Sequence, residues 1–180
     1  MYLRITGGTL QRQKVKTPGN RRTHPMGERI RVAIFNKIGD WLPGATILDA
    51  FAGTGALGFE AVSRGAASVI MIEKDRTAQK IITENIESLG VGDKVTLVRA
   101  RLQGWLNSRT TDDKFDIIFV DPPYFDPQLK VVEKLTSLLK EGGILILSYS
   151  KGLETPILPN VTLFDHREYA DAAIAYYRPN

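Results

Sequence analysis

The sequence predicts an α/β fold, a mostly parallel sheet covered by helices on both faces, and three observations predict it. Five short apolar runs, at 46–50, 68–72, 94–98, 115–120 and 143–148, have the length and continuity of strands buried on both sides. Segments of helical period separate several of them. A glycine-rich turn, Gly53-Thr-Gly55-Ala-Leu-Gly58, follows the first run directly. Repeated β-α-β order of this kind requires parallel pairing.

The elements follow in order along the chain. Residues 2–6 and 10–16, broken at Gly7-Gly8, form a small basic hairpin, and Pro18-Gly19-Asn20-Arg21-Arg22 is a loop. A helix spans about 27–42 and buries Ile30, Ala33, Ile34, Phe35 and Ile38. After the strands at 46–50 and 68–72, a helix at 77–89 places Ile81, Ile82, Ile86 and Leu89 on one stripe. Beyond the strands at 94–98 and 115–120, a helix at 127–140 does the same with Leu129, Val132, Leu135, Leu138 and Leu139. Residues 161–167 and 172–178, joined by a short polar turn, read as an antiparallel hairpin that closes a seven-stranded sheet. The expected organisation is a single domain, 1–180, in which a basic extension at 1–23 precedes a catalytic core at 24–180. The hairpin is too small for a core of its own.

Composition narrows the chemistry. With 180 residues, 43% of them hydrophobic, the chain has the material for one full core. No apolar run approaches the roughly 20 residues of a membrane helix, and no signal-peptide pattern opens the chain, so a cytoplasmic monomer is expected. The absence of cysteine excludes disulfides, thiolate catalysis and Cys-ligated metals, and with two histidines, His24 and His166, no metal site is expected. Both histidines read as structural, and Trp41 and Trp105 as packing residues. The formal charge of +4 is unevenly spread: residues 1–40 carry nine bases against two acids, a net of +7, so the remaining 140 sum to −3. A basic N-terminal segment on an acidic body suits a phosphate-bearing partner.

Two motifs carry the chemistry. In the first, Asp49 ends a strand immediately before the glycine loop, and Glu73 follows 24 residues later at the end of the next strand. An acid at the second position can accept from ribose hydroxyls, which implies a nucleoside-bearing cofactor. Asp49 would repel a pyrophosphate and attract the ammonium and sulfonium of S-adenosylmethionine, so that cofactor is expected. In the second, Asp121-Pro122-Pro123-Tyr124 directly follows the fourth run, at a carboxyl edge where open α/β sheets bind ligands. Two prolines rigidify the corner and free carbonyls to accept, the Asp121 carboxylate and the Pro122 carbonyl can take both hydrogens of an exocyclic amine, and Tyr124 offers a stacking face.

Gly7-Gly8 with the basic stretch, Arg29-Ile-Arg31 with Ala33-Ile-Phe-Asn36, the loop from Asp49 to Ala61, Ile72-Glu-Lys-Asp75 and Asp121-Pro-Pro-Tyr124 together resemble the bacterial RsmD family over essentially the whole chain. The resemblance implies a Rossmann-like class I S-adenosylmethionine-dependent methyltransferase that modifies N2 of one guanine in 16S rRNA of the small ribosomal subunit, complete or assembling. It further implies that Asp49, Phe51, Gly53 and Gly55, with Ala52 and Thr54 between them, surround the methionine part of the cofactor. Glu73 would hold the ribose, with Lys74 beside it, and Asp121, Pro122, Pro123 and Tyr124 the guanine. Two stretches depart from the family pattern. Arg22-Thr-His-Pro stands where R-P-T is usual, and Arg99-Ala-Arg101-Leu102 where an Asp or Asn commonly accepts from adenine. Arginine cannot accept from that amine, so the adenine contacts implied there rest on the Leu102 backbone, with Arg101 beside the cofactor.

Arg12, Lys14, Arg21, Arg22, Arg29 and Arg31 are the expected phosphate contacts, with Tyr124 against a base. Two other readings stay open: adenine N6 methylation of DNA or RNA, because D-P-P-Y serves several planar amines, and a non-catalytic RNA-binding assembly factor.

Overall fold

A computed structural model describes residues 1–19 and 26–180. Two antiparallel strands, β1 (Tyr2–Arg4) and β2 (Lys14–Lys16), open the chain. Helix α1 (Glu28–Lys37) leads to β3 (Thr46–Asp49), α2 (Ala56–Ser63), β4 (Ser68–Glu73), α3 (Arg76–Leu89) and β5 (Val95–Arg99). Then come α4 (Leu102–Ser108), β6 (Phe115–Val120), α5 (Leu129–Leu135), β7 (Leu139–Ser150), β8 (Val161–Glu168) and β9 (Ala172–Pro179). The main sheet has seven strands in the order β5-β4-β3-β6-β7-β9-β8. Pairing is parallel from β5 to β7 and antiparallel at β9 and β8. This is the expected parallel sheet with its closing hairpin.

Continuous apolar strands serve two cores at once. Ile47, Ile117, Phe119, Ile144 and Ile146 face one side of the sheet, and Leu48, Ile118, Val120, Leu145 and Leu147 face the other. Chain order reverses between β3 and β6: β4 lies on one side of β3 and β6 on the other, so a crevice opens at their carboxyl ends.

Four elements differ from expectation for local reasons. The second hairpin strand, expected over 10–16, pairs only over Lys14–Lys16, because residues 9–12 form the turn. The helix expected over 27–42 ends at Lys37, and Gly39–Trp41 continues as a 3-10 turn. The helix expected over 127–140 starts late, because Pro127 and the left-handed Gln128 precede it, and it ends at Leu135. A 3-10 turn at Thr136–Leu138 follows, and Leu139 already pairs with Phe115 in the sheet, while Leu129 faces solvent instead of the core. Helix α4 has no counterpart in the sequence pattern. Its seven residues bury only Leu102, too little for a periodic stripe.

The β1–β2 hairpin is fastened to the main body by side chains that satisfy its backbone. Asn85 of α3 accepts from the Lys16 N–H and donates to the Lys16 carbonyl, each at 2.9 Å, as a neighbouring strand would. Ser63, the last residue of α2, accepts from the Leu10 N–H at 2.9 Å and donates to the Gly7 carbonyl. The chain passes so close there that a Cβ on Gly8, whose φ is +81°, would lie 1.9 Å from the Ser63 carbonyl oxygen.

One turn back on α2, the fully buried Glu60 gathers donors from three elements. Its carboxylate accepts from the Thr6 N–H at 2.8 Å, the Thr6 hydroxyl at 2.6 Å and Arg64 Nε at 2.8 Å, and Arg31 Nε lies 3.6 Å away. Arg31 also donates to the Arg4 carbonyl at 2.7 Å. Removing one partner of a buried pair leaves an uncompensated charge. Glu60→Ala is therefore expected to cost about 3–5 kcal/mol in urea denaturation, against little change for the exposed Glu84→Ala, whose partner is Lys16.

Candidate active site at the carboxyl edge

Parallel register brings three acids to one edge. Asp49 pairs with Met71 of β4 and with Phe119 of β6, so Glu73 and Asp121 each project two residues beyond it on the flanking strands. The loop after β3 turns back beneath Glu73: the Glu73 carboxylate accepts from the Gly53 N–H and from the Asp75 N–H, both at 2.7 Å. The Ala52 N–H donates to the Ile72 carbonyl, and Ala52 and Thr54 are buried while Phe51 is half-buried. Helix α2 then leaves the loop against the sheet. A Cβ on Gly58 would come within 2.4 Å of the Met71 methyl, which is the close helix–strand approach expected of the third glycine.

Asp49 is wholly buried. Its Oδ2 accepts from the Gly58 N–H at 3.2 Å, and its Oδ1 has no hydrogen-bond partner. Burial pushes its pKa up to about 7, with Asp121 and then Glu73 adding repulsion and the Gly58 amide opposing. Burial likewise lifts Asp121 to about 6, with the nearby Ser148 hydroxyl opposing, and it raises Glu73 against backbone donors from Asp75 and Gly53. Two adjacent carboxyl groups that resist ionisation, one with an oxygen lacking any donor, form a site that a cation would relieve.

The corner after β6 is rigid. Pro123 accepts from the Asp126 N–H at 2.9 Å, closing a tight turn with Phe125, 89% exposed, near its tip. Tyr124 is 40% exposed, and its hydroxyl lies 3.0 Å from Ser148 Oγ. Ser148 is not among the site residues expected from sequence. The available signal is a serine that interrupts the apolar part of a strand beside β6 near its carboxyl end.

Other expected residues divide into groups. Lys74 and Arg101 are exposed, Arg101 at the start of α4, and Leu102 is buried beneath it. Arg12, Lys14 and Arg29 are exposed, and Lys14 lies over the Tyr2 ring at 5.7 Å. Arg31 is a correction: at 1% exposure, bound to Glu60 and to the Arg4 carbonyl, its guanidinium cannot reach a phosphate. Arg21, Arg22 and His24 lie outside the described residues. Among the described residues no group of three or more acids and histidines could hold a metal, and no helix is long and apolar enough to cross a membrane.

The sheet order, the glycine turn after β3 and the acids at the ends of β3, β4 and β6 define a class I S-adenosylmethionine-dependent methyltransferase. The chain belongs to the RsmD family, matching at residues 3–178 the profile named Conserved hypothetical protein 95. It is 32% identical to Ribosomal RNA small subunit methyltransferase D of Escherichia coli (strain K12) over 179 residues, covering 97% of this chain and 87% of that one. The protein of the same name from Haemophilus influenzae is 29% identical over 144 residues, covering 79% and 73%. Among solved structures, Escherichia coli yhhF superposes with a TM-score of 0.87 at 28% identity, covering 99% of this chain and 98% of that one. A hypothetical protein of Thermus thermophilus superposes with a TM-score of 0.80 at 29% identity, covering 98% and 99%.

The raised pKa values have a stability consequence with a definite sign. A carboxyl whose folded pKa lies above its unfolded value stabilises the fold below the unfolded pKa and loses that contribution as pH rises through the folded one. The ligand-free protein should therefore lose stability, on the order of 4–7 kcal/mol, between about pH 4 and pH 8 through Asp49 and Asp121. Urea denaturation across that range should show a shallower decline for Asp49→Asn.

Proposed function

We propose that this protein methylates the exocyclic N2 amine of a guanine in 16S rRNA, with the small ribosomal subunit or its assembly intermediate as substrate. The observation that carries the reading is the Asp121-Pro122-Pro123-Tyr124 corner, set at the same edge as the unpartnered Asp49 oxygen, in a chain of the RsmD family. Relatives that share nearly its full length are named for small-subunit rRNA methylation.

The residues fit the cofactor. S-adenosylmethionine, when bound, supplies an electrophilic methyl group on a sulfonium. Asp49, wholly buried behind the loop, would supply negative charge to its cationic methionine end, and Phe51, Ala52, Gly53, Thr54 and Gly55 would enclose the methionine part. Glu73 keeps lone pairs for ribose hydroxyls while holding the loop, and Lys74, Arg101 and the Leu102 backbone border the adenine.

On the substrate side, Asp121 and the Pro122 carbonyl accept the two N–H groups of the amine. This orients its lone pair and withdraws positive charge as the nitrogen is alkylated. Pro122 and Pro123 fix the corner, and Tyr124 stacks on the base. Residues 1–23 act as an RNA-contacting extension of the core at 24–180. Arg12, Lys14, Arg21, Arg22 and Arg29 meet phosphate, and Arg31 instead braces the hairpin. The protein works as a cytoplasmic monomer.

Tritium transfer from labelled S-adenosylmethionine to small subunits that lack the modification tests this. Label is expected on N2 of a single guanine, and label on adenine or on naked DNA alone would refute it. Asp121→Asn should lower transfer by roughly 10²–10³-fold with cofactor affinity retained.

Cofactor affinity carries its own signature. The ammonium needs Asp49 ionised, so calorimetric affinity should tighten as pH rises towards the Asp49 pKa near 7 and level off above it. Asp49→Asn should bind weakly at every pH. Replacing both Arg12 and Lys14 with Gln should weaken RNA binding and flatten its dependence on log[salt] by about 1.4–1.8.

A further inference from the structure

We infer that Phe125 is a substrate-positioning residue: its ring stacks on the RNA base next to the guanine being modified and helps hold that guanine out of its own stack. All seven phenylalanines lie among the described residues. Phe35, Phe59, Phe115 and Phe119 are buried in the two cores and Phe51 and Phe164 are half-buried, whereas Phe125 is 89% exposed. It directly follows Tyr124 and stands four residues after Asp121. Four residues span at most about 14 Å even when extended, and the turn shortens that reach. Stacked bases along a strand are only about 3.4 Å apart, so the ring is within range of the nucleotides beside a base held at the corner.

The turn presents this ring and keeps it from folding back. Pro122 and Pro123 fix the backbone before it. The Asp126 N–H donates to the Pro123 carbonyl at 2.9 Å, bridging Tyr124 and Phe125. Beyond it, Gln128 Nε2 donates to Asp126 Oδ2 at 3.1 Å, and the Gln128 carbonyl accepts from the Val131 N–H at 2.8 Å as α5 begins. The Tyr124 hydroxyl is anchored inward, 3.0 Å from Ser148 Oγ, while the next ring along the chain is left in solvent.

An RNA backbone is the wrong partner for this stretch. Residues 121–129 contain Asp121 and Asp126 and no lysine or arginine, so they repel phosphate. What they can offer RNA is a pair of aromatic faces. A guanine stacked on Tyr124 has given up its place between neighbouring bases, and a base left behind then exposes a face to water. A phenyl ring covers that face whatever the base is, which lowers the cost of keeping the guanine at the acceptors.

This inference rests on the proposed RNA reaction, but its tests separate from it. Phe125→Ala should lower kcat/KM for unmodified small subunits by roughly tenfold to a hundredfold, with the cofactor Kd and the urea midpoint unchanged because the ring lies outside the core. Phe125→Trp should restore activity and Phe125→Leu should not, since a base needs a flat face whereas an apolar contact with a ribosomal protein would accept leucine. With p-benzoylphenylalanine at position 125, irradiation of the complex should crosslink the nucleotide adjacent to the one that takes the methyl label. Wild-type kcat/KM in Phe125→Ala or Phe125→Leu, a Phe125→Trp protein no better than Phe125→Ala, or the absence of an RNA crosslink near the label would each overturn the role. Transfer to a base other than guanine would overturn the proposed substrate while leaving the Phe125 assignment to stand on the same comparisons.

Discussion

A single buried carboxylate organises the basic end of the molecule. Glu60 lies inside the protein with no water to solvate it, so it must be surrounded by donors. Thr6 supplies two of them from the segment after β1, Arg64 one from the end of its own helix, and Arg31 the compensating charge from α1. The hairpin, α1 and α2 can satisfy that carboxylate only in one mutual arrangement. Helix α2 is eight residues long. Its N-terminus carries the cofactor loop and its C-terminus, at Ser63, holds Gly7 and Leu10. The basic hairpin and the glycine loop are thus held at the two ends of one helix.

At the other end of α2 the logic is inverted. Asp49 and Asp121 sit close together with few donors, and burial opposes the ionised form of each. Glu73 is the contrast: with an amide on each oxygen, it behaves as a structural clasp for the loop. The fold therefore satisfies the acid that shapes the loop and leaves one oxygen of the buried Asp49 without a donor.

Much of this is legible in the sequence because the responsible forces are local. Buried parallel strands must be continuously apolar, and the five runs found that way are β3 to β7 within a few residues. The largest difference is at the start of β7, where Gly142 and Gly143 look like a turn yet lie within the strand. The glycine loop and the D-P-P-Y corner are contiguous, and so they are readable. What escapes depends on contacts between distant positions. An arginine that faces inward looks like one that faces outward until its partner is known, and Glu60 lies in a helix whose remaining residues are apolar or small. Ser148 and Asn85 escape for the same reason, since each is defined by what it bonds across 24 or 69 residues of chain.

The charge asymmetry also changes meaning once side chains are placed. Of the nine bases in residues 1–40, Arg31 is consumed by Glu60, Lys16 is paired with Glu84, and Lys37 with Asp165. Arg4, Arg12, Lys14 and Arg29 form no ion pair among the described residues. A handful of phosphate contacts supplies modest affinity and no sequence information. Selection of one guanine among many then cannot reside in the basic extension. On the proposed reaction it comes from the shape of the RNA and from the corner at Asp121 and Tyr124, which sets amine acceptors beside an aromatic ring.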